Sequence, residues 1–394
     1  MLHFIQGDGP ADTAVPSPVI EDSPREIPDQ EVTNRYCTEL FLKGRDMDPV
    51  KIRQMLEPLG DSVLVGGNTE KIHVHLHTQD PAEAAERLRP FGTITRQKID
   101  DMKRQYEARY QRRARIALVT DSSCDLPEEI LDEYQIHLIP LNLAFGENVY
   151  LDKLSIRSRR FYELLDEEPV FPTTSQPSVK QIEILYRDLA ASYDSIISVH
   201  LSDALSGTCN TARQAAARVS EAKISVIDSK TLSTSLGLIV LNAAREIMNG
   251  SPHDEVVRKI GTWTQKVKIL VSVRTLKYMV RGGRVSPLKG KIAGWLNLKP
   301  IVSLDAEGRS ALTGKAFSTR SNLQKILRMV SELNAKHRVL CYAIGHANAP
   351  DEAAAFAEQI RGILGFLPGY TMEIAPVIGV HAGVGALSVS VMTE

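Results

Sequence analysis

RIALVTDSSCDLPEEILDEYQ, residues 115–135, opens with a short apolar run, closes that run on Asp121-Ser122-Ser123, and passes through Pro127 into a helical pattern. The same plan returns in YDSIISVHLS (193–202) followed by GTCNTARQAAARVS (207–220). It returns again in AKISVIDS (222–229) followed by TLSTSLGLIVLNAAREIMNG (231–250). Short strands that are apolar throughout belong to parallel sheets, because crossover helices cover both faces. The repetition predicts a parallel, Rossmann-like α/β lobe over residues 115–264.

Outward from that lobe the rhythm changes. KILVSV (268–273), PIVSL (300–304), ALTGKAFS (311–318), RVLCYAIGH (338–346) and ALSVSVM (386–392) are strands of varied length, two of them joined by the turn-like DAEGRS. They predict a second α/β lobe with a mixed sheet over 265–394. Upstream, residues 33–105 read as a small α/β unit. Its strands are TELFL, SVLVGG and KIHVHLHT. Its helices are DPVKIRQMLEPLG, with Asp48 as N-cap, and DPAEAAERLRPFG, with Pro81 at the first helical position. The charged, helical stretch around 100–114 serves as connector, with 106–114 as linker. Residues 1–32, with prolines at 10, 16, 18, 24 and 28, read as a tail too poor in apolar surface to offset ordering entropy. The expected architecture is therefore α/β throughout: a small N-terminal unit, then two lobes.

Net charge is −1, so no broad cationic surface points to nucleic acid. No apolar run approaches the roughly 20 residues that span a bilayer, and the N-terminus lacks the charged and apolar regions of a signal peptide. The four cysteines are scattered and form no disulfide framework. The expected setting is cytoplasmic.

Hydroxyls collect where the parallel strands end: Ser122-Ser123, Ser202-Asp203 and Asp228-Ser229. Thr173-Thr174-Ser175-Gln176-Pro177-Ser178 adds a cluster before the next helix, and Ser206-Gly207-Thr208 opens another. Ligands of open α/β sheets sit beyond the carboxyl ends of the strands, and helix N-termini bind anions. Two readings stand: these residues cap helices, as Ser178 and Gln181 would in a capping box, or they form a socket for a carboxylate or phosphate. No G-x-S-x-G elbow, P-loop or dinucleotide signature accompanies them. Arg281-Gly282-Gly283-Arg284 reads equally as a phosphate loop or a helix C-cap.

Taken jointly, VTDSSCDLP (119–127), PTTSQPS (172–178), LSDALSGT (201–208), VIDS (226–229), MVRGGRVS (279–286), LNLKPI (296–301) and HAGVGAL (381–387) resemble the DegV family. The resemblance implies a long-chain fatty acid held between two α/β lobes, its carboxylate presented to a fatty acid kinase. It places Thr174, Ser175, Ser202 and Ser206 beside the carboxylate, with Arg284 and His381 as the charged members. Asp203 departs from the family's Ser-Ser pattern, and a second negative charge there would oppose a carboxylate if it faced the head group.

In KIHVHLHTQDP, His73, His75 and His77 alternate and so share one strand face. With Cys37 on a neighbouring strand they form either a zinc site or a solvated polar face. Residues 33–105 also resemble the middle domain of fatty acid kinases of the FakA type, which implies Cys37, His75 and His77 as the metal-binding trio and leaves His73 outside it. Residues 1–32 offer no room for that kinase's ATP domain, so the resemblance implies a shortened fusion working with a kinase in trans. The expected function is a fatty acid carrier rather than an enzyme, the acyl chain lying in an apolar tunnel between the lobes. The stretch from Met279 to Leu298, with Lys289, Lys291 and Trp295, reads as a gate or a patch for transient membrane contact. The alternatives are a metal-dependent enzyme centred on Cys37, His75 and His77, with Glu39 or Asp80 as base, and a scaffold that docks a separate kinase.

Overall fold

The computed structural model describes residues 32–167, 170–284 and 298–394. Residues 1–31 of the expected tail and residues 285–297 of the Met279–Leu298 stretch, Lys289, Lys291 and Trp295 among them, lie outside these residues. The N-terminal unit comprises β1 (Tyr36–Gly44), α1 (Pro49–Leu56), β2 (Gly60–Gly67), β3 (Lys71–Thr78), α2 (Pro81–Leu88), β4 (Gly92–Asp101) and α3 (Met102–Tyr110). Its sheet is antiparallel in the order β2-β3-β1-β4. Asp48 and Asp80 cap α1 and α2 through backbone N–H groups, each with proline following in the first turn. One sheet face packs Leu40, Leu42, Ile72, Val74 and Leu76 under these helices, and the other carries the histidines.

The first lobe comprises β5 (Ile116–Asp121), α4 (Glu128–Glu133), β6 (His137–Ile139), β7 (Asn142–Phe145), β8 (Asn148–Leu151), α5 (Ser158–Glu167), β9 (Thr173–Ser175), α6 (Val179–Ala190), β10 (Ser195–His200), α7 (Thr208–Ala216), β11 (Lys223–Asp228), α8 (Ser233–Met248) and α9 (His253–Lys266). Its main sheet, β11-β10-β5-β6, is parallel as expected. A small antiparallel sheet, β8-β7-β9, is an addition to the expected plan.

The second lobe comprises β12 (Val267–Ser272), α10 (Lys277–Arg281), β13 (Lys299–Leu304), β14 (Ser310–Ala316), α11 (Thr319–Lys336), β15 (Val339–His346), α12 (Pro350–Leu364), β16 (Tyr370–Glu373), α13 (Pro376–Ala382) and β17 (Leu387–Thr393). Its sheet, β14-β13-β12-β17-β15-β16, is mixed: β15 and β16 run parallel and the other pairs antiparallel.

Helix α8 joins the lobes. Leu236, Leu238, Ile239, Val240 and Leu241 pack against Leu118 and Ile197 of the first lobe and Ala343 and Met392 of the second. A helix that is apolar on all sides must be covered on all sides, and each such side chain contributes about 1.5–3 kcal/mol on burial.

The N-terminal unit is fastened to the first lobe by charge and backbone contacts. Helix α3 runs through the start of the expected linker, and its Ala108 lies in the same core cluster as Ala117 and Val119. Strand β4 lies along β8, where Asn148 accepts from the Ile94 N–H at 3.1 Å and Gln97 donates to the Val149 carbonyl at 2.5 Å. Asp132 of α4 receives Arg35 at 2.9 Å, Lys103 at 3.0 Å and Arg104 at 2.6 Å. Arg160 pairs with Glu86 at 3.0 Å, and Arg157 with Asp80.

Candidate functional site

The hydroxyl clusters divide into two groups. Those ending β5 point inward and brace the sheet: Ser122 Oγ accepts from the Leu141 N–H at 3.0 Å, and Ser123 Oγ donates to Asp121 at 2.5 Å. Beside them Asp121 Oδ2 meets His200 Nδ1 at 2.9 Å, and His200 Nε2 meets Ser198 Oγ at 2.8 Å. This line has the composition of a hydrolase triad, yet its three residues are 0% exposed and Ser198 also accepts from Tyr186 at 2.8 Å. It holds the strand ends, since Asp121 Oδ2 also accepts from the Leu201 N–H at 3.0 Å. Apart from the terminal Asp, no local pattern signals it.

The second group forms a continuous line of contacts. Thr174 and Ser175 lie on β9, where Asn142 donates to Ser175 Oγ at 3.3 Å and to the Gln176 carbonyl at 3.1 Å. The amide end of the Gln176 side chain packs directly on Gly207, and so joins β9 to the loop bearing Ser206. Ser206 Oγ shares a hydrogen bond with Thr208 Oγ1 at 2.8 Å. The Ser206 N–H donates to the Ser202 carbonyl at 3.1 Å. Ser202 itself is buried, and its hydroxyl donates to the Gly308 carbonyl of the second lobe at 2.9 Å. Its proton is thus committed to a bond between the lobes. Ser178 and Gln181 make both bonds of the expected capping box.

His381 lies on α13, which packs against β9 on one side and α10 on the other. Gly282 must be glycine, because a Cβ would stand 2.0 Å from His381 Nδ1. Arg284, just beyond α10, donates to the Gly282 carbonyl at 2.6 Å. Burial, with the Arg284 charge beside it, pushes His381 down to about 3. This corrects the expectation of a charged histidine: at neutral pH the ring is neutral and Arg284 carries the positive charge. His381 Nδ1 is buried and has no hydrogen-bond partner among the described residues. Asp203 does not stand as an isolated negative charge, since Arg213 of α7 pairs with it at 2.5 Å.

A cavity of about 430 Å³ lies elsewhere, between the N-terminal unit and the first lobe. Ile99, Leu131, Ile136, Ile139 and Met372 line it, and none of the six residues expected at a head group does.

In the N-terminal sheet, antiparallel register places Cys37 opposite His77 and Glu39 opposite His75, so these side chains share a face. Cys37 Sγ lies 4.0 Å from His75 Nδ1, and the ligand atoms of Cys37, His75 and His77 all fall within 4.8 Å of one another. Zinc bonds of roughly 2.0–2.3 Å at tetrahedral angles put donors about 3.3–3.8 Å apart, so small side-chain adjustments suffice. Burial and the neighbouring His77 lower the His75 pKa, favouring the neutral, ligating form. Asp61 meets His77 Nδ1 at 3.2 Å, as a carboxylate does when it fixes the ring of a metal-binding histidine. His73 is occupied otherwise, stacked on Phe41 and paired with Glu39 at 3.1 Å. Neither candidate base is placed for metal-dependent catalysis: Glu39 is taken by His73 and Lys98, and Asp80 caps α2 and pairs with Arg157.

At the junction of the two α/β lobes a guanidinium thus stands beside an unpaired imidazole nitrogen, an arrangement whose chemistry suits an anion. Residues 115–394 match the family model described as uncharacterised protein, DegV family, and the chain belongs to that family. Residues 33–109 match the model for the middle domain of FakA-like fatty acid kinases. Protein DegV of Bacillus subtilis is 32% identical over 276 residues, spanning 70% of this chain and 98% of that protein. The crystal structure of DegV from Bacillus subtilis, described as a fatty acid binding protein, superposes with a TM-score of 0.67 at 31% identity and covers 71% of this chain and 100% of that one. A DegV family protein from Thermus thermophilus, described by its fatty acid binding, gives 0.66 at 27% identity, again over 71% of this chain and all of that one. Among the described residues no helix is long and apolar enough to cross a membrane.

Proposed function

We propose that this chain is a cytoplasmic carrier that binds one long-chain fatty acid and offers its carboxylate for phosphorylation by a fatty acid kinase acting in trans. The observation that carries this reading is the His381 Nδ1, buried, without a partner among the described residues and beside Arg284. A buried polar atom left unpaired costs about 1–3 kcal/mol, and a carboxylate between the two side chains satisfies the imidazole and meets the guanidinium charge. Arg284 supplies the charge-assisted bond, the neutral His381 a second donor, and Thr174, Ser175 and Ser206 hydroxyls toward the remaining lone pairs. The acyl chain supplies the affinity, at about 0.8 kcal/mol per buried CH₂.

Cys37, His75 and His77 bind a zinc ion that stiffens the N-terminal sheet, and the N-terminal unit serves as the docking element for the kinase. What supports this is the donor set and the match of residues 33–109 to a kinase middle domain. The test is a reconstituted assay with ATP, oleate and a fatty acid kinase freed of its own carrier. Acyl-phosphate that forms only when this chain is present supports the proposal; a kinase that turns over no fatty acid with it refutes the presenting role.

A further inference from the structure

Two carboxylates outside the head-group site meet at the base of α13. Asp125, in the turn after β5, and Asp152, directly after β8, are both 0% exposed. Asp125 Oδ1 accepts from the Ala375 N–H at 2.8 Å, and Asp152 Oδ1 accepts from the Val377 N–H at 3.3 Å. Both amides belong to the start of the helix that ends just past His381. The acids come from the first lobe and the amides from the second.

The surroundings of Asp125 are built with some strain. Its Oδ2 accepts from the Ser233 hydroxyl at 2.6 Å, and Lys153 Nζ stands 3.6 Å from Oδ1. Ser233 and Lys153 have φ of 57° and 67°, left-handed values for residues that carry a Cβ. Each costs roughly 1–2 kcal/mol, and such strain persists only where contacts over-determine it. Along its flank α13 is also held by Phe161 and Tyr162, which crowd Gly379 so closely that a Cβ would meet both rings.

We infer that Asp125 and Asp152 are positioning residues of the fatty acid site: they fix the start of α13 to the first lobe and thereby set His381 against Arg284 and β9. The inference rests on the fatty acid reading of that site. Neither acid touches the ligand; each acts through α13. What positions the helix is an acceptor oxygen, so an amide in place of the acid preserves the device and a methyl group removes it.

The experiment uses the full chain and measures oleate affinity, melting temperature and the imidazole NMR signals of His381. The proteins compared are wild type, Asp152→Ala, Asp152→Asn, Asp125→Ala and Asp125→Asn. Asp152→Ala is expected to weaken oleate binding about tenfold, the equivalent of about 1.4 kcal/mol, and to move the His381 signals. Asp152→Asn is expected to keep oleate affinity within about twofold of wild type and to leave the signals in place. The Asp125 pair should behave likewise; if Asp125→Ala fails to fold, the Asp152 pair decides. Oleate binding and His381 signals unchanged in Asp152→Ala overturn the inference, as does equal loss in Asp152→Asn. If wild type takes up no oleate, the reading of the site fails instead, and the His381 signals alone still decide whether the two acids hold the helix.

Discussion

Removing the carboxylate at the centre of the junction between the N-terminal unit and the first lobe should loosen that junction measurably. Asp132 is 25% exposed and receives Arg35 and Arg104, which are 13% and 5% exposed, together with Lys103. Breaking a buried ion pair from one side costs about 3–5 kcal/mol. The cost here is smaller, because Arg35 keeps Asp101 and Glu128, and Arg104 keeps Glu107 and the Leu131 carbonyl. An expected loss of about 2 kcal/mol for Asp132→Ala corresponds to roughly thirtyfold faster hydrogen exchange through opening of the junction. Exchange of amides in β4 and α3, read by mass spectrometry at pH 7, is the assay. Against the pull of burial, Arg35, Lys103 and Arg104 hold the Asp132 carboxyl below the usual carboxylate range. A depressed acid stabilises the fold above its unfolded pKa, and that contribution is lost as pH falls through its folded value. The difference between variant and wild type should therefore shrink below about pH 4. A change under about 0.5 kcal/mol at pH 7, typical of surface pairs, would refute the view that the two units form one fastened body.

Arg284→Gln removes the permanent cation of the site, worth about 1.5–3 kcal/mol as a charge-assisted hydrogen bond. A fluorescent displacement assay should show fatty acid affinity falling roughly ten- to a hundredfold, with little change in melting temperature. His137 is buried and pushed down to about 3, first by burial and then by the Arg104 charge. Its stabilising contribution is present above the unfolded histidine pKa and is lost as pH falls from about 6.5 toward 3. His137→Gln should flatten urea-derived stability over that range relative to wild type, and an unchanged slope would count against a neutral His137. Metal analysis of protein produced with zinc should find about one ion per chain in wild type and a marked loss in Cys37→Ser.

The parallel sheet was legible because β5 and β10 are buried almost end to end, and enclosure by helices writes itself into sequence as largely apolar runs. The half-buried edge strand β11 was found by its position in the repeating plan. Strand β4 was not. GTITRQKIDD is an edge strand whose Arg96 lies over the Phe41 ring and whose Lys98 pairs with Glu39 and Asp100, so its residues look like those of a solvated helix. The β8-β7-β9 sheet was hidden by brevity, its strands having four, four and three residues. In the site, each hydroxyl-bearing segment could be seen singly, and family motifs supplied Arg284 and His381. Their meeting depends on Gly282 closing against His381 and on α13 reaching β9, contacts between segments distant in sequence. The charge state of His381 and the burial of Asp125 and Asp152 are properties of the packed molecule and leave no local pattern.

In the proposed function one fatty acid occupies the junction of the two lobes. Native mass spectrometry of the purified full chain, followed by denaturing extraction and lipid analysis, tests it most directly. A single long-chain fatty acid per chain is expected in the wild type, at lower occupancy in the Arg284→Gln variant. A protein that carries none, and takes up none when oleate or stearate is added, would contradict it.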